Sequence, residues 1–127
     1  MKYILDTHTF IWFMEGDIQL SDTVSEIIED SRCSKFISTA SIWEIAIKLS
    51  VGKLGLRKSL NRILFDLSQS NINLLEVSLP HIIRVSTMEL IHRDPFDRMI
   101  IAQALEENAI ILGKDPHFTT YNVKLVW

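Results

Sequence analysis

Short runs of apolar residues alternate along this chain with longer stretches in which apolar side chains recur every three or four positions. The first kind predicts strands at Lys2–Leu5, Lys35–Ser38, Asn73–Val77 and Ala109–Leu112, and Tyr121–Trp127 alternates like a final strand. The second kind predicts helices. One covers Thr7 to Met14 and is stopped by Gly16 and Asp17; the next runs from a Ser21 cap to Ser31, with Val24, Ile27 and Ile28 on one face. A third carries Ile42, Ile45, Ala46 and Leu49 at i, i+3, i+4 and i+7, and the Val51-Gly52-Lys53-Leu54-Gly55 stretch breaks it. Ser59–Ser68 resumes the helical pattern, Pro80 opens a helix reaching about Leu90, and the last helix starts at Pro95 and gives Met99 to Leu105 to the core.

Strands that are apolar throughout belong in a sheet buried on both faces, and their alternation with helices makes that sheet parallel. The expected fold is therefore α/β, a three-layer α/β/α sandwich around a central, mostly parallel sheet of four to five strands. With 127 residues, no linker, no repeat and no low-complexity stretch, residues 1–127 form a single domain. Phe10, Ile11, Trp12 and Phe13 give the first helix more apolar surface than one sheet face needs, which leaves part of it for a second subunit. Trp12, Trp43 and Trp127 are read as core residues rather than platforms for stacked bases.

Composition removes several classes. A hydrophobic content of 47% with three Pro and four Gly is that of a packed domain, not a disordered chain. No apolar run approaches a membrane span and no secretory leader pattern opens the chain, so the expected setting is the cytoplasm, with no membrane partner. Cys33 is the one cysteine, which rules out a disulfide framework or a cysteine-based zinc site. The formal charge of -3 does not advertise phosphate binding. Its distribution is more informative: no acid lies between Glu44 and Asp66, where Lys48, Lys53, Arg57, Lys58 and Arg62 fall. If cations neutralise four acids at one site, the remaining acids no longer outnumber the 13 Lys and Arg residues.

The acids carry the candidate chemistry. In His92-Arg93-Asp94-Pro95-Phe96-Asp97-Arg98, Asp94 is a helix cap ahead of a proline suited to the first helical position, and capping alone explains it. Asp97, in the first turn, is either the reciprocal partner of a double cap or part of a site. Asp6 and Asp115 stand just past strand ends. Glu44 has two placements: in a capping box with Ser41 or a surface pair with Lys48, or, if its helix starts near Ser38, directed inward from the early turns. In a parallel sheet ligands bind beyond the carboxyl ends of the strands, and right-handed crossovers bring Asp6, Glu44, Asp97 and Asp115 to that edge.

Gathered carboxylates repel one another unless a cation compensates, and hard divalent ions with oxygen ligands, Mg²⁺ or Mn²⁺, suit an open acidic site. Such ions serve phosphoryl transfer and hydrolysis by activating water and stabilising charge on phosphate. On this reading Asp6 and Asp97 are principal ligands, Glu44 is a ligand or orients the attacking water, and Asp115 is an outer or second-metal ligand. Lys48 and Lys53, within the basic segment 48–62, would hold a polynucleotide backbone. His8, His81, His92 and His117 show no paired ligand spacing and are read as surface or capping histidines.

Tyr3-Ile4-Leu5-Asp6-Thr7-His8, Ser41-Ile42-Trp43-Glu44-Ile45-Ala46-Ile47-Lys48, Gly52-Lys53-Leu54, and His92 to Arg98 with Ala102-Gln103-Ala104 occur in this order along the chain. From Lys2 to Trp127 the sequence resembles the PIN-domain ribonucleases, specifically the VapC-like toxins of type II toxin–antitoxin modules. The resemblance implies a small α/β/α domain and Mg²⁺- or Mn²⁺-dependent endonucleolytic cleavage of RNA. It also implies a homodimer and inhibition by a cognate antitoxin whose C-terminal segment covers the site. The family's catalytic acids carry over onto Asp6, Glu44 and Asp97, and Asp115 fits the fourth position. Gly113 departs from the pattern, because family members often carry Thr or Ser there.

Two other readings stand beside this one. Asp6-Thr7 after a first strand is faintly similar to phosphatases with an aspartyl nucleophile, but these want a second acid two residues on, where this chain has His8. A non-catalytic RNA-binding or interaction module on the same fold would not need all four acids.

Overall fold

The computed structural model describes residues 1–127. β1 (Lys2–Leu5) leads into α1 (Thr7–Glu15), α2 (Asp22–Glu29), β2 (Ser34–Ser38) and α3 (Thr39–Ser50). There follow α4 (Leu60–Ser68), β3 (Ile72–Leu75), α5 (Leu79–Thr87), α6 (Pro95–Glu107) and β4 (Ile110–Leu112); a 3-10 helix, Pro116–Tyr121, precedes β5 (Leu125–Val126). Helix starts follow local chemistry: Ser21, Ser38, Ser59 and Asp94 each accept a backbone N–H from the turn they open. Gly16 closes α1 in the left-handed conformation at φ 63°, where glycine has no Cβ to clash.

All five strands are parallel, in the order β3-β2-β1-β4-β5. Alternate residues serve opposite layers, as the pleat requires. Leu5, Ile37, Ile72 and Leu112 pack with Phe10, Met14, Val24, Ile45 and Ile63 from α1, α2, α3 and α4. Ile4 and Ile111 pack with Ile100, Ile101 and Ala104 of α6, and with Phe118 and Val123. The expected three-layer α/β/α sandwich is thus observed. Strand order reverses direction about β1, so the edge beyond Leu5 and Leu112 is the switch point where open parallel sheets bind ligands.

Three expectations are corrected. The segment 121–127 is a strand only at Leu125–Val126, because Asp115 caps a 3-10 helix and Asn122 turns left-handed at φ 61° to end it. The helix opened at Pro80 stops at Thr87 instead of Leu90; Ser86 and Thr87 hydroxyls bond to the carbonyls of Ile83 and Arg84, and Met88 is extended. Trp43 is not core: it is 63% exposed, resting edge-on against Phe96 at 5.4 Å. Phe10 and Ile11 are buried as expected.

The α5–α6 seam holds a buried polar network. His81, 2% exposed, accepts from the Ser78 N–H through Nδ1 at 3.0 Å; Gln103 Nε2 lies 3.4 Å from the same atom. His81 Nε2 meets Glu107 at 3.0 Å. His81→Leu would leave the Ser78 N–H and the buried Gln103 amide without this partner, while Glu107 keeps Lys2 and water. The expected cost is about 1–3 kcal/mol, read as a lower urea midpoint with an unchanged slope.

Candidate active site

β1 delivers Asp6 to the switch point, where its Oδ1 accepts the Thr7 N–H at 2.8 Å and caps α1. β2 delivers Ser38, whose hydroxyl accepts the Ala40 N–H at 3.0 Å. α3 therefore starts at Ser38, the Ser41–Glu44 capping box does not form, and Glu44 turns inward, 3% exposed. Thr7 Oγ1 lies 2.7 Å from Glu44 Oε1 and 2.9 Å from Ser41 Oγ. With one proton to give, the Thr7 hydroxyl donates to the carboxylate and receives from Ser41. The other Glu44 oxygen takes Lys48 Nζ at 2.6 Å.

Asp94 is the cap it was expected to be, accepting from Phe96 N at 2.8 Å and Asp97 N at 3.1 Å. Asp97 is no reciprocal cap. Its Oδ2 meets His92 Nε2 at 2.7 Å. Asp115 caps the 3-10 helix by accepting the His117 N–H at 3.0 Å and also meets His117 Nδ1 at 2.7 Å. Asp6, Glu44, Asp94, Asp97 and Asp115 line one cleft of about 430 Å³, together with Thr7, His8, Trp12, Lys48, Lys114 and Pro116.

Charge is crowded there. Burial pushes the Asp6 carboxyl up to about 7, helped by the charges of Asp97, Glu44 and Asp115 and opposed by the Thr7 N–H. Burial also raises Asp97, with Asp94 and Glu44 adding to the effect and the His92 hydrogen bond resisting it. At Asp115 burial pushes up too, but the His117 N–H and ring outweigh it and hold the carboxyl below its usual range. Lys48 is raised by its bond to Glu44. A buried acid that keeps its proton near neutrality, beside four more carboxylates and one bonded ammonium, is a site short of positive charge. The donor set is mostly carboxylate oxygen, and no hydrogen-bond donor reaches Asp6 Oδ2. These residues fit a hard divalent cation.

Most cations of the basic segment have an acid partner. Arg57 pairs with Asp17, Lys58 and Arg62 both pair with Asp66, and Lys48 is committed to Glu44. Lys53 is exposed on the turn after α3 and does not line the cleft. The cleft cation that sequence reading missed is Lys114, exposed and without an ion pair. His92 and His117 were missed as well: their rings stack at 5.2 Å and 11°, each against a site carboxylate. One signal could have found this side of the cleft. Arg93-Asp94-Pro95 and Lys114-Asp115-Pro116 repeat one cap motif, each with a histidine two residues away from its Asp.

Gly113 has a local reason. A Cβ there would sit 3.1 Å from Asp6 Cβ and 3.6 Å from Asp6 Oδ2. The bare backbone lets the end of β4 lie against the Asp6 side chain, and a Ser or Thr at this position would push Asp6 aside by a few tenths of an ångström.

The model of the PIN domain family matches residues 3–124. No curated protein matches the chain. Among solved structures, the chain resembles VapBC2 from Rickettsia felis, bound to a promoter DNA fragment, with TM-score 0.75 and 17% identity over 99% of this chain and 98% of that one. A toxin–antitoxin complex from Klebsiella pneumoniae matches at TM-score 0.69 and 14% identity over 98% and 96%. FitAcB from Neisseria gonorrhoeae matches at 0.66 and 18% over 98% and 96%. At these identities the structural likeness speaks for the fold, and the family match extends over nearly the whole sequence. The chain belongs to the PIN domain family.

Proposed function

We propose that residues 1–127 act as one metal-dependent endoribonuclease domain, the toxin of a toxin–antitoxin pair. The observation that carries the reading is the meeting of Asp6, Glu44, Asp97 and Asp115, distant in sequence, in one cleft with a single bonded ammonium. Asp6, Asp97, Glu44 and Asp115 would hold Mg²⁺ or Mn²⁺. When bound, the ion would lower the pKa of water and offset charge on the scissile phosphate.

The chain's own groups supply the rest. Glu44, fixed by Thr7 and Lys48, orients the attacking water, and its buried carboxylate can take that water's proton. Lys114, at the rim, is placed to hold a phosphate of the RNA backbone. The likeness to the VapBC2 complex of Rickettsia felis and to the toxin–antitoxin complex of Klebsiella pneumoniae supports a cognate antitoxin as partner. A homodimer, implied by the resemblance, would cover the apolar groove lined by Trp43, Val77, Ile82, Val85 and Phe96. No helix is long and apolar enough to cross a membrane, which agrees with a cytoplasmic enzyme.

The test is cleavage of RNA by purified protein with Mg²⁺, Mn²⁺ or EDTA, beside Asp97→Asn. The reading predicts cleavage with either ion, none in EDTA, and a loss of at least about a hundredfold in the variant. Equal cleavage by wild type and Asp97→Asn would assign the activity to a contaminant and remove the proposal.

A further inference from the structure

The histidine that sequence reading set aside is held more firmly than its surroundings require. His92 lies in the irregular segment between α5 and α6, where Leu90 and Ile91 are exposed and apolar packing cannot fix the backbone. Tyr121 fixes it instead. Its hydroxyl oxygen accepts the N–H groups of His92 at 2.7 Å and Ile91 at 2.9 Å, and its proton goes to the Glu89 carbonyl at 2.8 Å. One face of the imidazole stacks on His117, which Asp115 holds in turn, and Nε2 points at Asp97. A surface ion pair would need only the last of these contacts.

One nitrogen of His92 and one carboxylate oxygen each from Asp97 and Asp115 lie within 4.8 Å of one another. Octahedral ligands about 2.1 Å from an ion stand roughly 3 to 4.2 Å apart, so modest side-chain adjustment would bring all three onto one ion. Asp6 is an independent pointer to a cation in the same cleft: its carboxylate is 8% exposed and no donor reaches Oδ2.

Resting on the metal-dependent reading above, we propose that His92 completes the metal site as a nitrogen ligand beside Asp97 and Asp115. The site then prefers Mn²⁺ to Mg²⁺. Imidazole nitrogen is a borderline donor that first-row transition ions accept and Mg²⁺, which demands oxygen, does not. The coordinating ring is neutral, with its proton on Nδ1 and the Nε2 lone pair turned to the ion that Asp97 shares.

The test is Mn²⁺ binding to the full chain followed by electron paramagnetic resonance, with Mg²⁺ as competitor, for wild type, His92→Asn and His117→Ala. Pulsed spectra of protein labelled with ¹⁵N-histidine report nitrogen coordination directly. Wild type and His117→Ala should show the histidine nitrogen; His92→Asn should lose it, with Mn²⁺ affinity falling at least about tenfold and Mg²⁺ affinity changing less than about twofold. Thermal melts of the metal-free variants separate this effect from misfolding, and the nitrogen signal in wild type needs no variant at all. Mn²⁺ bound to wild type without a histidine nitrogen, or with one that survives in His92→Asn, overturns the ligand assignment and leaves the metal-dependent nuclease standing. Wild type that binds no Mn²⁺ overturns both.

Discussion

Asp6→Asn is expected to abolish metal-dependent cleavage and, in EDTA at pH 8, to make the protein more stable than wild type. The folded state holds the Asp6 carboxyl up to about 7, against an ordinary value of 3.8. Below pH 4 the acid is protonated folded or unfolded, and it costs nothing. As pH rises from about 4 to about 7 the unfolded chain releases its proton while the folded one keeps it, so stability falls through that window and is level above it. The full shift corresponds to a loss on the order of 2–4 kcal/mol, shared with the neighbouring acids. Asn caps α1 as well as Asp does and carries no charge. The melting temperature of Asp6→Asn should therefore exceed that of wild type at pH 8 and converge with it near pH 4. Mn²⁺ should raise the wild-type value and leave the variant nearly unmoved. A variant less stable than wild type at pH 8 without metal would show that Asp6 is comfortable in the fold, and the argument for a missing cation would go.

The same geometry explains how the fold tolerates such a cleft. Parallel strands followed by helices put helix N-termini along one sheet edge, and their free N–H groups attract carboxylates. Asp6, Asp94 and Asp115 are all caps. Each acid is thus held by a local interaction worth about 1 kcal/mol, and their convergence follows from topology rather than from mutual attraction.

That is also why much of the site was legible in the sequence. Apolar runs against 3.6-residue periodicity gave the strands and helices, the Asp-Pro step gave the start of α6, and strand-end acids could be placed at one edge before any coordinate. What was not legible depends on side chains meeting across the fold. Nothing local makes Tyr121 clamp the main chain at His92 or sends Arg57 to Asp17. Trp43 was misread because its neighbours Ile42 and Ile45 are on the face packed inward, and one step along a helix turns a residue by about 100° out of that face.

Lys48 is the one ammonium bonded to a site carboxylate, and Lys48→Met should lower the stability of the metal-free protein by about 2 kcal/mol. Breaking a buried ion pair costs roughly 3–5 kcal/mol because the remaining charge is stranded; the lower figure allows for a lysine side chain 36% exposed to solvent. The stranded charge is Glu44, 3% exposed and facing Asp6 and Asp97. If that charge is the whole cause, neutralising it should cancel the loss: Glu44→Gln with Lys48→Met should return to within about 1 kcal/mol of wild type, since a neutral pair of similar shape needs no counter-ion. Mn²⁺ should rescue the single variant, which keeps its acids, and stabilise the double variant less. Urea unfolding of the four proteins with and without Mn²⁺ measures both effects. A double variant as unstable as Lys48→Met would mean that the lysine acts through its aliphatic packing, and that Glu44 is not held in the cleft as an ion waiting for a partner.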